Sequence, residues 1–177
     1  MLLLTAQRRD KVVTMRRDDI ADGVWTIPTE RREKGNGGKL KLPQMALDII
    51  AAQPQVDFNP YVFAGTARGW RSAGRSAPPA FISHGVHKEQ LDEKLDIPHW
   101  TLHDLRRTAR SLMAKAGVAD NVAERVLGHV IPGVQGVYNR HAYFDEKADA
   151  LARLATVIEQ IINPPDKTNV VELNARR

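Results

Sequence analysis

The amino-acid sequence predicts a mainly α-helical domain with a small antiparallel β-sheet, an α+β fold, on three observations. Apolar residues recur at helical spacing through most of the second half of the chain. One stretch near the start, residues 22–43, instead reads as two short strands separated by turn residues. The 177 residues, 42% of them hydrophobic, suffice for one buried core.

Taken in order, "LLLTAQRRDKVVTMRR" sets Leu2, Leu3, Val12 and Val13 among helix formers, which predicts one helix or two short ones already in progress where the chain begins. "DGVWTIP" is a β-branched and aromatic run, "EKGNGGK" is rich in turn residues and "LKLP" alternates, which predicts a hairpin or small antiparallel sheet ended by proline. "PQMALDIIAAQ" places Pro43 at a helix start, ahead of Met45, Leu47, Ile49 and Ile50. "YVF" reads as a short buried strand or extended segment. Residues 65–79, "GTARGWRSAGRSAPP", suit neither a core helix nor a strand and predict an exposed basic loop, either a solvated connector or a phosphate-contacting one. Helices are expected at about 83–95, 102–116, 119–128 and 145–162, the last with Leu151, Leu154, Ala155, Ile158 and Ile162 on one stripe. Residues 163–177, opening "NPPDKTN", read as a tail.

Composition excludes several chemistries. With no cysteine there is no disulfide framework, no thiolate metal site and no thiol nucleophile, and a reducing cytoplasm fits. "MLLL" is too short for a signal-peptide core, and no apolar run approaches a membrane span. His84 and His87 in "SHGVHKEQ" lack companion ligands and read as helix-start residues, so no metal site is expected. The net charge of +5 and pI near 9.7 are compatible with nucleic acid as partner.

Chemistry concentrates in "WTLHDLRRTARSLMAKAG". Thr101 is a good N-cap and Asp104 can complete a capping box, so the helix should start at Leu102, with His103 in its first turn and Arg106 one turn on. Leu105, Ala109, Leu112, Met113 and Ala116 are the expected buried stripe. A helix N-terminus attracts phosphate, a guanidinium can bind two phosphate oxygens, and an imidazole beside it can donate a hydrogen bond or move a proton. Downstream, "VLGHVIPGVQGVYNRH" ends a helix at His129 and presents Tyr138 nine residues later. Unbroken helix would put those two on opposite faces, but Pro132-Gly133 breaks it and lets both point into one pocket. Either could instead be plain structure, a half-buried aromatic and a C-terminal cap.

Together these segments resemble the catalytic domain of the tyrosine recombinases, the phage-integrase family, over nearly the whole chain. "HDLRRTA" resembles its H-x-x-R box, "LGH" its second histidine box, and the nine-residue step to Tyr138 its nucleophile spacing. "TAQRRDKV" resembles the first arginine box, T-G-x-R-x-x-E/D, which points to Arg8. "EKGNGGK" resembles the turn carrying the catalytic lysine, which points to Lys34, with Lys39 its nearest rival; Tyr143 is the rival to Tyr138. Two positions depart from the pattern: Ala6 stands where the family has glycine, and Lys11 where it has a carboxylate. Residues 1–162 are then expected to be an N-terminally truncated catalytic domain, without the core-binding domain that closes the family's clamp around DNA.

The resemblance implies site-specific DNA recombination in which Tyr138 attacks a phosphodiester and forms a 3′-phosphotyrosyl bond while a 5′-hydroxyl leaves. Arg8 and Arg106 would neutralise the nonbridging oxygens, His103 and His129 would add hydrogen bonds with His103 accepting the tyrosine proton, and Lys34 would protonate the leaving oxygen, with no cofactor or metal. Double-stranded DNA is the implied partner, contacted by Arg68, Arg71, Arg75, Lys39, Arg107 and Arg140, with a homo-tetramer on DNA and a bacterial or phage setting. A type IB topoisomerase and a non-catalytic DNA-binding remnant are the competing readings.

Overall fold

The computed structural model describes residues 1–29, 38–65, 80–81, 83–129 and 142–165. The start of the chain forms two short helices, α1 (Leu2–Thr5) and α2 (Arg9–Val13), separated at Ala6, whose backbone is left-handed with φ 53°. A single 3₁₀ turn, Arg17–Asp19, leads into β1 (Ile20–Ala21), β2 (Val24–Ile27) and β3 (Gly38–Lys41), an antiparallel sheet in that order. Trp25 faces both Ile20 and Leu40 across the ladders. The strand β1 lay outside the expected hairpin. Its signal was the dipeptide Asp22-Gly23, whose two positive φ angles, 51° and 73°, make the two-residue turn that suits a right-twisted hairpin.

Pro43 precedes α3 (Gln44–Ala51), whose buried residues are Ala46 and Ile50. The "YVF" segment is extended: Val62 N–H donates to Met15 O at 2.9 Å and Tyr61 bridges to Arg16. After the basic loop, which lies outside the described residues, come α4 (His84–Asp92), α5 (Leu102–Lys115), α6 (Asp120–Leu127) and α7 (Phe144–Ile162). The capping box at α5 forms as expected, with Thr101 N–H donating to Asp104 Oδ2 at 2.9 Å. That bond comes first among the influences holding the Asp104 carboxyl below its ordinary range.

The core is built by α7 against α5, α6, α1 and β3. Leu151, Leu154, Ala155 and Ile158 are buried in it, but Ile162 is 61% exposed because the last turn of α7 outruns the layer beneath. The expected stripe of α5 is also corrected. Ala109 and Met113 are fully buried, whereas Leu105, Leu112 and Ala116 are only partly covered, and the charged Arg106 occupies the buried position among them. Among the described residues no helix is long and apolar enough to cross a membrane.

Leu154 has no exposed surface and lies where α7 meets the other helices. Leu154→Ala is expected to cost about 2–5 kcal/mol through lost burial and the cavity left behind, read as a lower midpoint in urea denaturation.

Candidate active site

Three segments distant in sequence meet at Arg106. This side chain is 5% exposed. Its Nη1 donates to Ala6 O at 2.8 Å, and its Nη2 donates to Leu127 O at 2.7 Å and to His129 Nε2 at 3.0 Å. Beside it, the buried Gln7 amide donates to Val126 O at 2.5 Å, a second tie between the α1–α2 junction and the end of α6. The junction leads directly to Arg8. Arg8, Arg106 and His103 line one open cleft of about 680 Å³ at the N-terminal end of α5, together with Gln7, His84 and His99. Burial, and after it the neighbouring charge of Arg8, lowers the Arg106 pKa to about 10, so the group is still a cation at neutral pH, in a place that disfavours its charge.

His129 reaches Arg106 because of how α6 ends. Gly128 has φ 70°, its N–H donates to Arg125 O at 3.1 Å, and His129 N–H donates to Glu124 O at 3.0 Å. These two bonds are a Schellman cap, which needs a left-handed residue at the glycine and turns the next side chain back along the helix. The same pair of bonds closes α5 at Gly117 and buries Val118. The turned-back imidazole lies between Arg106 and Glu124, with Nδ1 at 2.5 Å from Glu124 Oε2. Glu124 was not singled out from the sequence; its signal was a carboxylate one turn from the helix end that leads to His129. Burial works to raise its pKa, but the bonds from His129 and Arg110 outweigh this and hold the carboxyl below the ordinary glutamate range.

The structure thus brings Arg8, His103 and Arg106 to one cleft, and His129, which does not line it, joins them through its bond to Arg106. Lys39 and Arg107 do not line it: Lys39 is exposed on β3, where its carbonyl accepts a bond from Lys147 Nζ at 3.0 Å, and Arg107 is exposed and paired with Asp104 at 3.0 Å. Tyr138, Lys34, Arg68, Arg71, Arg75 and Arg140 lie outside the described residues. Tyr143, the rival nucleophile, stands at the N-cap just ahead of α7 with φ 51°, and the Arg125 guanidinium covers its ring at 3.9 Å. Lys11 is buried at 6% exposure, and its Nζ donates to Pro28 O at 2.9 Å.

The left-handed residues at the ends of α1 and α6, and the carboxylate beside His129, have calculable consequences. Ala6 is strained by about 1–2 kcal/mol in its left-handed conformation. Glycine would remove that strain, but its extra chain entropy costs about 0.5–1 kcal/mol and the lost buried methyl about 0.8 kcal/mol. Ala6→Gly is therefore expected to leave stability within about 1 kcal/mol of the parent in urea denaturation. Gly128→Ala takes on the same left-handed strain while regaining the chain entropy of glycine, and is expected to destabilise by about 0.5–1 kcal/mol. A lowered carboxyl pKa stabilises the fold above the ordinary value of 4.5 and loses that contribution as pH falls through the lowered one. Acidification from neutral to below pH 4.5 is expected to lower the urea midpoint, and by less in Glu124→Ala.

No known family model matches the sequence, and no curated protein matches it. Among solved structures the chain is similar to the integrase from mycobacterium phage Brujita, with a TM-score of 0.57 and 16% sequence identity. The likeness covers 86% of this chain and 49% of that one, so the chain spans about half the length of that structure. The α+β fold expected from the sequence is the one observed, and it is integrase-like.

Proposed function

We propose that this chain carries the catalytic centre of a tyrosine-type site-specific DNA recombinase. The observation that carries the reading is the convergence of Arg8, His103 and Arg106 on one cleft at a helix N-terminus, with His129 bonded to Arg106. Two like charges held close together, one of them buried and lowered in pKa, are stabilised by an anion, and the phosphoryl group that best repays them is the pentacoordinate transition state. In this reading the Tyr138 hydroxyl oxygen attacks phosphorus and the bond to the 5′ oxygen breaks. His103 accepts the tyrosine proton and Lys34 supplies one to the departing oxygen. The covalent 3′-phosphotyrosyl link conserves the energy of the broken bond, so rejoining needs no nucleotide triphosphate. The partner is double-stranded DNA, contacted through Arg68, Arg71, Arg75, Lys39, Arg107 and Arg140, and the working assembly is a homo-tetramer on that DNA.

A second reading, a DNA-binding remnant without cleavage, is favoured by Lys11: a buried cation stands three residues after Arg8 where the resemblance calls for a carboxylate. One experiment separates the two. Incubated with a pool of nicked duplexes of random sequence and run on a denaturing gel, the recombinase gives a covalent protein–DNA band that Tyr138→Phe abolishes. A band that survives in Tyr138→Phe assigns the nucleophile elsewhere. Binding that falls steeply with salt and yields no band in the parent chain selects the remnant.

A further inference from the structure

Both ring nitrogens of His129 are engaged, Nδ1 with Glu124 Oε2 at 2.5 Å and Nε2 with Arg106 Nη2 at 3.0 Å. A guanidinium can only donate and an ionised carboxylate can only accept. Between these partners the imidazole is satisfied in one form, neutral with its proton on Nδ1 and its lone pair on Nε2. The other tautomer, or the doubly protonated ring, would set an N–H against an N–H of Arg106. Glu124 is itself held from its far side, where Oε1 accepts from Arg110 Nε at 3.0 Å, and Arg110 Nη2 reaches Asp120 at 2.7 Å.

The geometry points to Glu124 as a positioning residue: anchored by Arg110, it fixes the tautomer of His129, and that tautomer holds the Arg106 guanidinium at the cleft floor. With its two nitrogens taken by Glu124 and Arg106, His129 acts on the cleft through Arg106. This assignment rests on the reading of Arg106 as a phosphate ligand and adds to it the side chains that aim that ligand. The polarity of the chain, from Arg110 through Glu124 and His129 to Arg106, makes a near-isosteric change informative. In Glu124→Gln the amide keeps one oxygen, and Arg110, which cannot accept, claims it. The amide N–H then faces Nδ1, turns it into the acceptor, moves the ring proton to Nε2 and breaks the bond to Arg106.

The test uses the whole 177-residue chain, ¹⁵N-labelled, in long-range proton–nitrogen spectra, with the His129 signals assigned by their loss in His129→Asn. The parent is expected to show the Nδ1-protonated tautomer and Glu124→Gln the Nε2-protonated one. The double variant Arg110→Met with Glu124→Gln lets the amide turn its oxygen to His129 and is expected to restore the parent tautomer. On the random nicked duplexes, covalent adduct formation is expected to slow by about tenfold or more in Glu124→Gln, with DNA binding unchanged, and to recover in the double variant. An Nε2-protonated ring in the parent, or a tautomer indifferent to Glu124→Gln, overturns the assignment. If the tautomer responds as expected but the parent forms no adduct, the positioning role stands and the recombinase reading fails.

Discussion

A single buried guanidinium, that of Arg106, joins the parts of the molecule on which the cleft depends. From α5 it reaches the carbonyl of Ala6 ahead of α2 and the carbonyl of Leu127 at the end of α6, and it accepts the company of His129 beyond. Burying a cation is costly unless its hydrogens find acceptors, and here three donors find them. A well-packed apolar side chain in the same place would cost a fold little. What it would forfeit is a positive charge fixed next to Arg8, in a site where burial and like charge both favour the arrival of an anion. The arginine therefore fits the proposed function, and its structural bonds are what make its burial tolerable.

The outline of the fold was readable because its signals are local. The capping box at Thr101 and Asp104, the proline ahead of α3 and the stripe of α7 each follow from residues within a turn or two of one another. The errors come from partners far away in sequence. Leu105 and Leu112 read as core, and nothing near Arg106 announces the carbonyls of Ala6 and Leu127 that let it take the buried position among them. The short strand β1 was overlooked for a different reason: two residues are too few for periodicity, and only the Asp22-Gly23 turn marks it.

The site was legible to the same degree. His103, Arg106 and His129 were singled out by their spacing and Arg8 by the resemblance of its segment, yet neither could assign His129 its partners, since the ring's bonds run to Glu124 and Arg106 on two different helices. The glycine of "LGH" is where sequence and chemistry touch most directly. Its left-handed backbone ends α6 and, in the same two bonds, delivers the histidine to the guanidinium.

The ties at the cleft floor also bear on how the chain folds. Ala6 and Arg106 lie 100 positions apart, and Gln7 and Val126 lie 119 apart. Closing loops of that size costs entropy that must be spent before the bonds repay it, whereas the Schellman turns at Gly117 and Gly128 close within a few residues. The α5–α6 pair can thus organise early and on local terms. The cleft, which exists only once the first residues of the chain have met that pair, is among the last features the folding chain acquires.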